Sequence, residues 1–153
     1  MKSVFLSVLC ALTFLIGGGA NAHDRNCFGS LRGALAKGGY SPGVDCGGEK
    51  FVVRIKPLGA IHVGFGRYRV YQLNYHYNPI PTNTHWGTRL LVFDGRGRYL
   101  GQYGVMQYGA AFHIAGHTLI ANNSPKDGNI ILFTPSGPPK TAWIDGEVYD
   151  FFR

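Results

Sequence analysis

The stretch YRVYQLNYHY, Tyr68 to Tyr77, alternates with a period of two: Tyr71, Leu73, Tyr75 and Tyr77 fall on one side, Gln72, Asn74 and His76 on the other. Successive side chains point to opposite faces of a strand, so this segment predicts a β-strand with one apolar and one wetter face. Just upstream, FVVRIK repeats the pattern, with Phe51, Val53 and Ile55 opposed to Arg54 and Lys56. Further strands are expected at Arg89 to Phe93, Tyr99 to Tyr103, Ala111 to Ile114, Thr118 to Ala121, Asn129 to Thr134, Thr141 to Ile144 and Glu147 to Phe152. Many short strands separated by glycine and proline are the mark of an antiparallel all-β domain.

Asp94-Gly95, Asp127-Gly128 and Asp145-Gly146 sit beside apolar runs, where tight hairpin turns require positive φ. Three of the eight acidic residues are thereby better explained as turn formers than as catalysts. Pro135 to Pro139, PSGPP, reads as a loop, because proline cannot donate to a strand ladder. Asn78 to Thr88, which holds Pro79, Pro81, Trp86 and Gly87, is the longest stretch without a pattern. It is expected to be a surface loop carrying part of a site.

The N-terminal end is different in kind. Lys2 precedes a run from Val4 to Ile16 interrupted only by Ser7 and Thr13, followed by Gly17 to Gly19 and then Ala20-Asn21-Ala22. A charged start, a short apolar run and a small-x-small site predict a signal peptide over residues 1–22. The run is shorter than the roughly 20 residues a membrane-spanning helix needs, and no cysteine follows it to carry a lipid. Residues 23–153 are then a single β-rich domain, secreted or periplasmic, with no membrane span after cleavage. Cys10 leaves with the signal, so Cys27 and Cys46 are expected to pair as a disulfide in an oxidising compartment. Between them Ser30 reads as an N-cap, Leu31, Ala34 and Leu35 as one helical face, and Gly38 as the stop. The fold class is therefore mainly β: a single antiparallel roll, barrel or sandwich with one short N-terminal helix tied by a disulfide.

The chain carries a formal charge of +7 and six histidines, all in residues 23–153. The charge is scattered, with no run of basic residues, so there is no dedicated nucleic-acid arm; a general attraction to anions is expected instead. His62, His76 and His113 each fall on the less apolar side of a strand and would line one surface if those strands adjoin. No His-x-His pair or zinc spacing occurs, and no cofactor is expected. His23, as a new N-terminus, offers an amine and an imidazole that suit a Cu(II)-type ion. No serine stands in a G-x-S-x-G elbow.

Two functions follow. The first is an exported, non-catalytic binding protein of the inhibitor or immunity type, whose partner is an acidic protein or an anionic envelope polysaccharide. Its expected binding residues are Tyr75, His76, Tyr77, Trp86 and Arg89, since tyrosine and arginine give contact area and directed charge at interfaces. The second is a small secreted hydrolase, most plausibly a ribonuclease, using His76 or His113 for acid–base chemistry with Glu147 or Glu49 as partner and an arginine, from Arg54, Arg67, Arg69 or Arg89, holding the anionic transition state. The oligomeric state cannot be read from these patterns.

Overall fold

A computed structural model describes residues 28–40, 51–80, 83–105, 110–122 and 129–153; for 51–53, 77–80, 83 and 84 only the backbone is described. The chain is mainly β, with a curled antiparallel sheet forming a half-barrel and one short helix. Nine strands occur among the described residues: β1 (Phe51–Val63), β2 (Gly66–Ile80), β3 (Asn83–Asp94), β4 (Tyr99–Val105), β5 (Phe112–Ala115), β6 (Thr118–Ala121), β7 (Ile130–Leu132), β8 (Thr141–Ile144) and β9 (Glu147–Phe152). The large sheet runs β1-β2-β3-β4-β9-β8, and β5-β6-β7 form a second sheet.

Segments read as separate features turn out to be continuous. Asn78 to Thr88, predicted as a loop, is mostly strand, because the β2–β3 ladder continues through Tyr75↔Gly87, His76↔Trp86 and Tyr77↔His85. Its register slips between Tyr77 and Ile80, where Pro79 falls; a proline survives in a ladder only at such an irregularity. β1 carries a bulge between Pro57 and Gly59. Ile55 pairs with Leu73 before it and Ile61 with Tyr68 after it, so odd-numbered side chains change faces at the bulge.

The predicted wet face of β2 is not wet. Val70, Leu90, Val92 and Tyr103 on one side of the large sheet pack with Phe112, Leu119, Ile131 and Phe133 from the small-sheet side and with Ile144 and Tyr149 of β8–β9. Gln72 lies on this side too, buried, its Nε2 donating to the Ala110 carbonyl at 2.8 Å and to Asn74 Oδ1 at 3.0 Å. Thr88 Oγ1 donates to the same Asn74 oxygen at 2.9 Å. Gln72, Asn74 and Thr88 are tolerated on the core face because each has a partner. Leu73, Leu91, Phe93 and Tyr99, on the opposite side, pack under Phe28, Leu35 and Tyr40. Both faces of β2 and β3 are thus covered, one by the small sheet and one by the helical segment.

That segment is a 3-10 turn, Gly29–Leu31, running into helix α1, Arg32–Lys37, with Gly38 at its C-cap. Ser30 is inside the 3-10 turn and caps nothing; Leu31 is the N-cap position of α1, without a side-chain cap. Six residues are too few to hold a helix alone, so tertiary packing stabilises it. Burial of Leu35 to 1 % exposure contributes about 2 kcal/mol.

Turn chemistry is legible but only partly as predicted. Asp145 and Gly146, with φ of 52° and 84°, join Ile144 to its partner Glu147 as the Asp-Gly signal requires. At Asp94-Gly95 the turn is longer: Gly97 N–H donates to the Asp94 carbonyl at 3.0 Å, and positive φ falls on Gly97. Asp127-Gly128 lies outside the described residues, as do residues 1–27 with His23, Cys27 and the segment holding Cys46 and Glu49. Among the described residues no helix is long and apolar enough to cross a membrane.

Candidate functional site

Tyr75 and Arg89 come together on the helix-covered face. Leu73 pairs with Arg89 and Tyr75 with Gly87, so both side chains leave the sheet on the same side, two rungs apart. The Arg89 guanidinium carbon stands 5.4 Å from the centre of the Tyr75 ring and 5.8 Å from that of Tyr40. Tyr40 follows helix α1 and packs edge-on against Phe28 and Tyr99, with ring centroids 6.2 and 5.8 Å away. Burial raises the Tyr40 phenol above its ordinary value of 10.0, Arg89 pulls it back and Tyr75 adds to the rise. Tyr99 is pushed up further, first by burial and then by Tyr40, against the pull of Arg89 and Arg153. Its hydroxyl is buried without a hydrogen-bond partner among the described residues.

Tyr99 also forms part of the floor of a groove of about 650 Å³ between α1 and the β3–β4 turn. Gly38 allows the close approach: a Cβ there would stand 2.6 Å from Tyr99 Cδ1. Four cations line this groove, Lys37 from the last turn of α1, Arg96 and Arg98 from the β3–β4 turn, and Arg153. Arg98 is held by Asp94, whose Oδ2 accepts from Nε at 2.6 Å. Asp94 Oδ1 meanwhile accepts the Arg96 and Arg98 backbone N–H groups at 2.9 and 2.8 Å. Burial raises the Asp94 carboxyl, but these bonds and the Arg98 charge outweigh it and hold the group below 3.8. Arg153 Nε donates to the Leu100 carbonyl at 3.2 Å. The Lys37 and Arg96 side chains are engaged in no hydrogen bond or ion pair among the described residues. None of the four was singled out from the sequence; the legible hint was Gly95-Arg96-Gly97-Arg98, two arginines in one glycine-framed turn.

His76 and Trp86 lie on the other face, opposite one another in the ladder with ring centroids 4.5 Å apart. Trp86 is about half exposed, while His76 Nδ1 is buried without a partner among the described residues. Tyr77, known here through its backbone, pairs with Phe51 and His85. The expected binding residues are therefore divided between two faces of one hairpin.

His76, His113 and Glu147 are carried by three separate elements, and no hydrogen bond joins any two of them among the described residues. His113 is exposed on β5, alternating with the buried Phe112 that faces the core. Glu147 is exposed at the β8–β9 turn, where its carboxylate accepts from the Tyr149 hydroxyl. His62 pairs with Arg67 at the far end of the β1–β2 ladder from His76. Among the described residues no three His, Cys, Asp or Glu side chains gather as a metal site. Comparison with family models, curated proteins and solved structures finds no match to the chain.

Proposed function

We propose that this is an exported, non-catalytic binding protein for an anionic polysaccharide. The observation that carries the reading is the groove lined by Lys37, Arg96, Arg98 and Arg153, in which two cations have no protein counter-charge among the described residues. Clustered like charge in a concave site concentrates field on an incoming anion and is tolerated because a ligand relieves it. At about 650 Å³ the groove has the size of an oligosaccharide or small-molecule site. A folded acidic protein would need a patch of roughly 800 Å² per partner, so the acidic-protein version has less support. Export and removal of residues 1–22 are part of the proposal, with the Cys27–Cys46 disulfide fastening the helical segment that forms one wall. The ribonuclease alternative draws no support from the placement of His76, His113 and Glu147.

The test is retention of the mature protein on immobilised polygalacturonate and dextran sulfate at increasing salt. Binding should saturate and weaken as salt screens the groove. The double variant Lys37→Ala, Arg96→Ala should elute at much lower salt. Salt-independent retention, or a variant that behaves as wild type, would overturn the reading.

A further inference from the structure

We infer that the outer face of β7, β8 and β9 is a dimer interface, covered by a second copy of this chain related to the first by a twofold axis. This goes beyond the polyanion reading and does not depend on it.

Alternation along the strands sets this face. Ile131, Ala142, Ile144 and Tyr149 belong to the core, so Ile130 and Leu132 of β7, Trp143 of β8, and Val148 and Phe152 of β9 project away from it. Trp143 pairs with Val148 across the β8–β9 ladder, and Ile130, Leu132 and Trp143 line one shallow groove of about 610 Å³. Asn129 Oδ1 accepts the Asp145 N–H at 2.8 Å and so holds the start of β7 beside the end of β8. Exposure of the five apolar side chains runs from 38 % for Ile130 to 56 % for Trp143. Together they leave on the order of 400 Å² of apolar surface in water. A standard interface takes roughly 800 Å² from each partner, somewhat over half of it apolar, with aromatic residues favoured at its centre. Surrounded by Thr141, Asp150 and the charged ends of the hairpin, the patch meets that size and composition.

Charge identifies what covers it. Residues 141–152 hold Asp145, Glu147 and Asp150 and no lysine or arginine, in a chain of net charge +7. Asp145 and Glu147 stand at the β8–β9 turn. Lys140 and Arg153 flank the other end of the hairpin, where the Phe151 N–H donates to the Lys140 carbonyl at 2.7 Å. Asp150, opposite Thr141, offsets only part of that positive charge. A twofold axis near the Trp143–Val148 pair lays two hairpins antiparallel, so the acidic turn of each copy meets the basic end of the other. Lys140 of one copy then faces Glu147 of the other, twice, around an apolar centre. An anionic bilayer approaching the same face would meet three carboxylates beside Trp143 and be repelled.

Sedimentation equilibrium of the purified protein over a wide concentration range tests this. The mass should rise from one chain to two and stop there, since a twofold contact closes on itself. Trp143→Lys puts a charge at the centre of the patch and should leave a monomer at every concentration. Its circular dichroism should match wild type, because the side chain lies outside the core. Lys140→Glu and Glu147→Lys should each weaken self-association severalfold, as two exposed attractive pairs become repulsive. Mixing those two variants, or combining both changes in one chain, should restore the dimer, which a folding defect would not do. A mass of one chain at all concentrations, growth beyond two, or wild-type dimerisation of Trp143→Lys would overturn the proposal. Failure of the mixed variants to associate would overturn it too. A strictly monomeric protein that binds phosphatidylglycerol vesicles through Trp143 would replace the second copy with a lipid surface.

Discussion

The ring of Tyr75 covers Gly87 across the β2–β3 ladder, so that a Cβ at position 87 would stand 2.5 Å from Tyr75 Cζ and from its hydroxyl oxygen. The obstructing atoms are the movable end of a side chain. Gly87→Ala should therefore displace the ring with a stability loss of no more than about 1 kcal/mol, since alanine also narrows the unfolded ensemble. A near-normal melting curve is the expected result; a fall in Tm of about 10 °C or more would show that the Tyr75 ring is held in place and cannot move aside.

Gly101 is the contrasting case. A Cβ there would meet the Phe152 carbonyl oxygen and the Phe151 ring, each at 2.7 Å. That carbonyl belongs to the β4–β9 ladder, where Gln102 pairs with Phe152, and it cannot swing aside. Gly101→Ala should destabilise by about 2–3 kcal/mol and lower Tm by on the order of 10 °C. Thermal unfolding followed by circular dichroism checks it, and a change of a degree or two would be inconsistent with a fixed β4–β9 seam.

Asp94 links pH to the groove. Its folded carboxyl titrates below the ordinary 3.8, because the bonds from Arg98 and Arg96 outweigh the opposing effect of burial. A group with a depressed folded pKa contributes stability that is complete above the unfolded value and disappears as pH falls through the folded one. The β3–β4 turn should thus remain closed at neutral pH and loosen only below about pH 4. Carbon-detected NMR titration of the Asp94 carboxyl should give a midpoint under 3.8. Asp94→Asn releases Arg98 from its ion pair and should strengthen dextran sulfate binding; weaker binding would mean that the aspartate acts mainly by ordering the turn.

The proposed disulfide makes a chemical prediction. Mature protein should begin at His23 by mass spectrometry and show no free thiol until reduced. Replacing Cys27 and Cys46 with serine should cost about 3 kcal/mol, the chain-entropy value for a loop of this size. Two reactive thiols in the native exported protein would exclude the bridge.

Much of the strand content is legible in the sequence because alternation is local: Tyr68 to Tyr77 needs no partner to declare itself extended. The Asp145-Gly146 turn is legible for the same reason, as the required φ belongs to two adjacent residues. Local patterns mislead where a neighbour intervenes. Gln72 and Asn74 look like solvent-facing residues, yet they sit on the core face because Ala110 and Thr88 satisfy them. Trp86 looks like a loop residue, yet the ladder opposite His76 makes it strand.

The sequence by itself determined that this chain is a mainly β protein with one short helix, and it predicted export, because periodicity and the order of charge, apolar run and small residues are properties of consecutive residues. It also pointed to Tyr75 and Arg89. Tertiary structure decided that Tyr75 and Arg89 share a face while His76 and Trp86 take the other, and that Lys37, Arg96, Arg98 and Arg153 line one groove. Those relationships depend on strand register, on the bulge between Pro57 and Gly59, and on where a six-residue helix docks. Each is set by contacts between residues distant in the chain, and such contacts leave no periodic trace in the sequence.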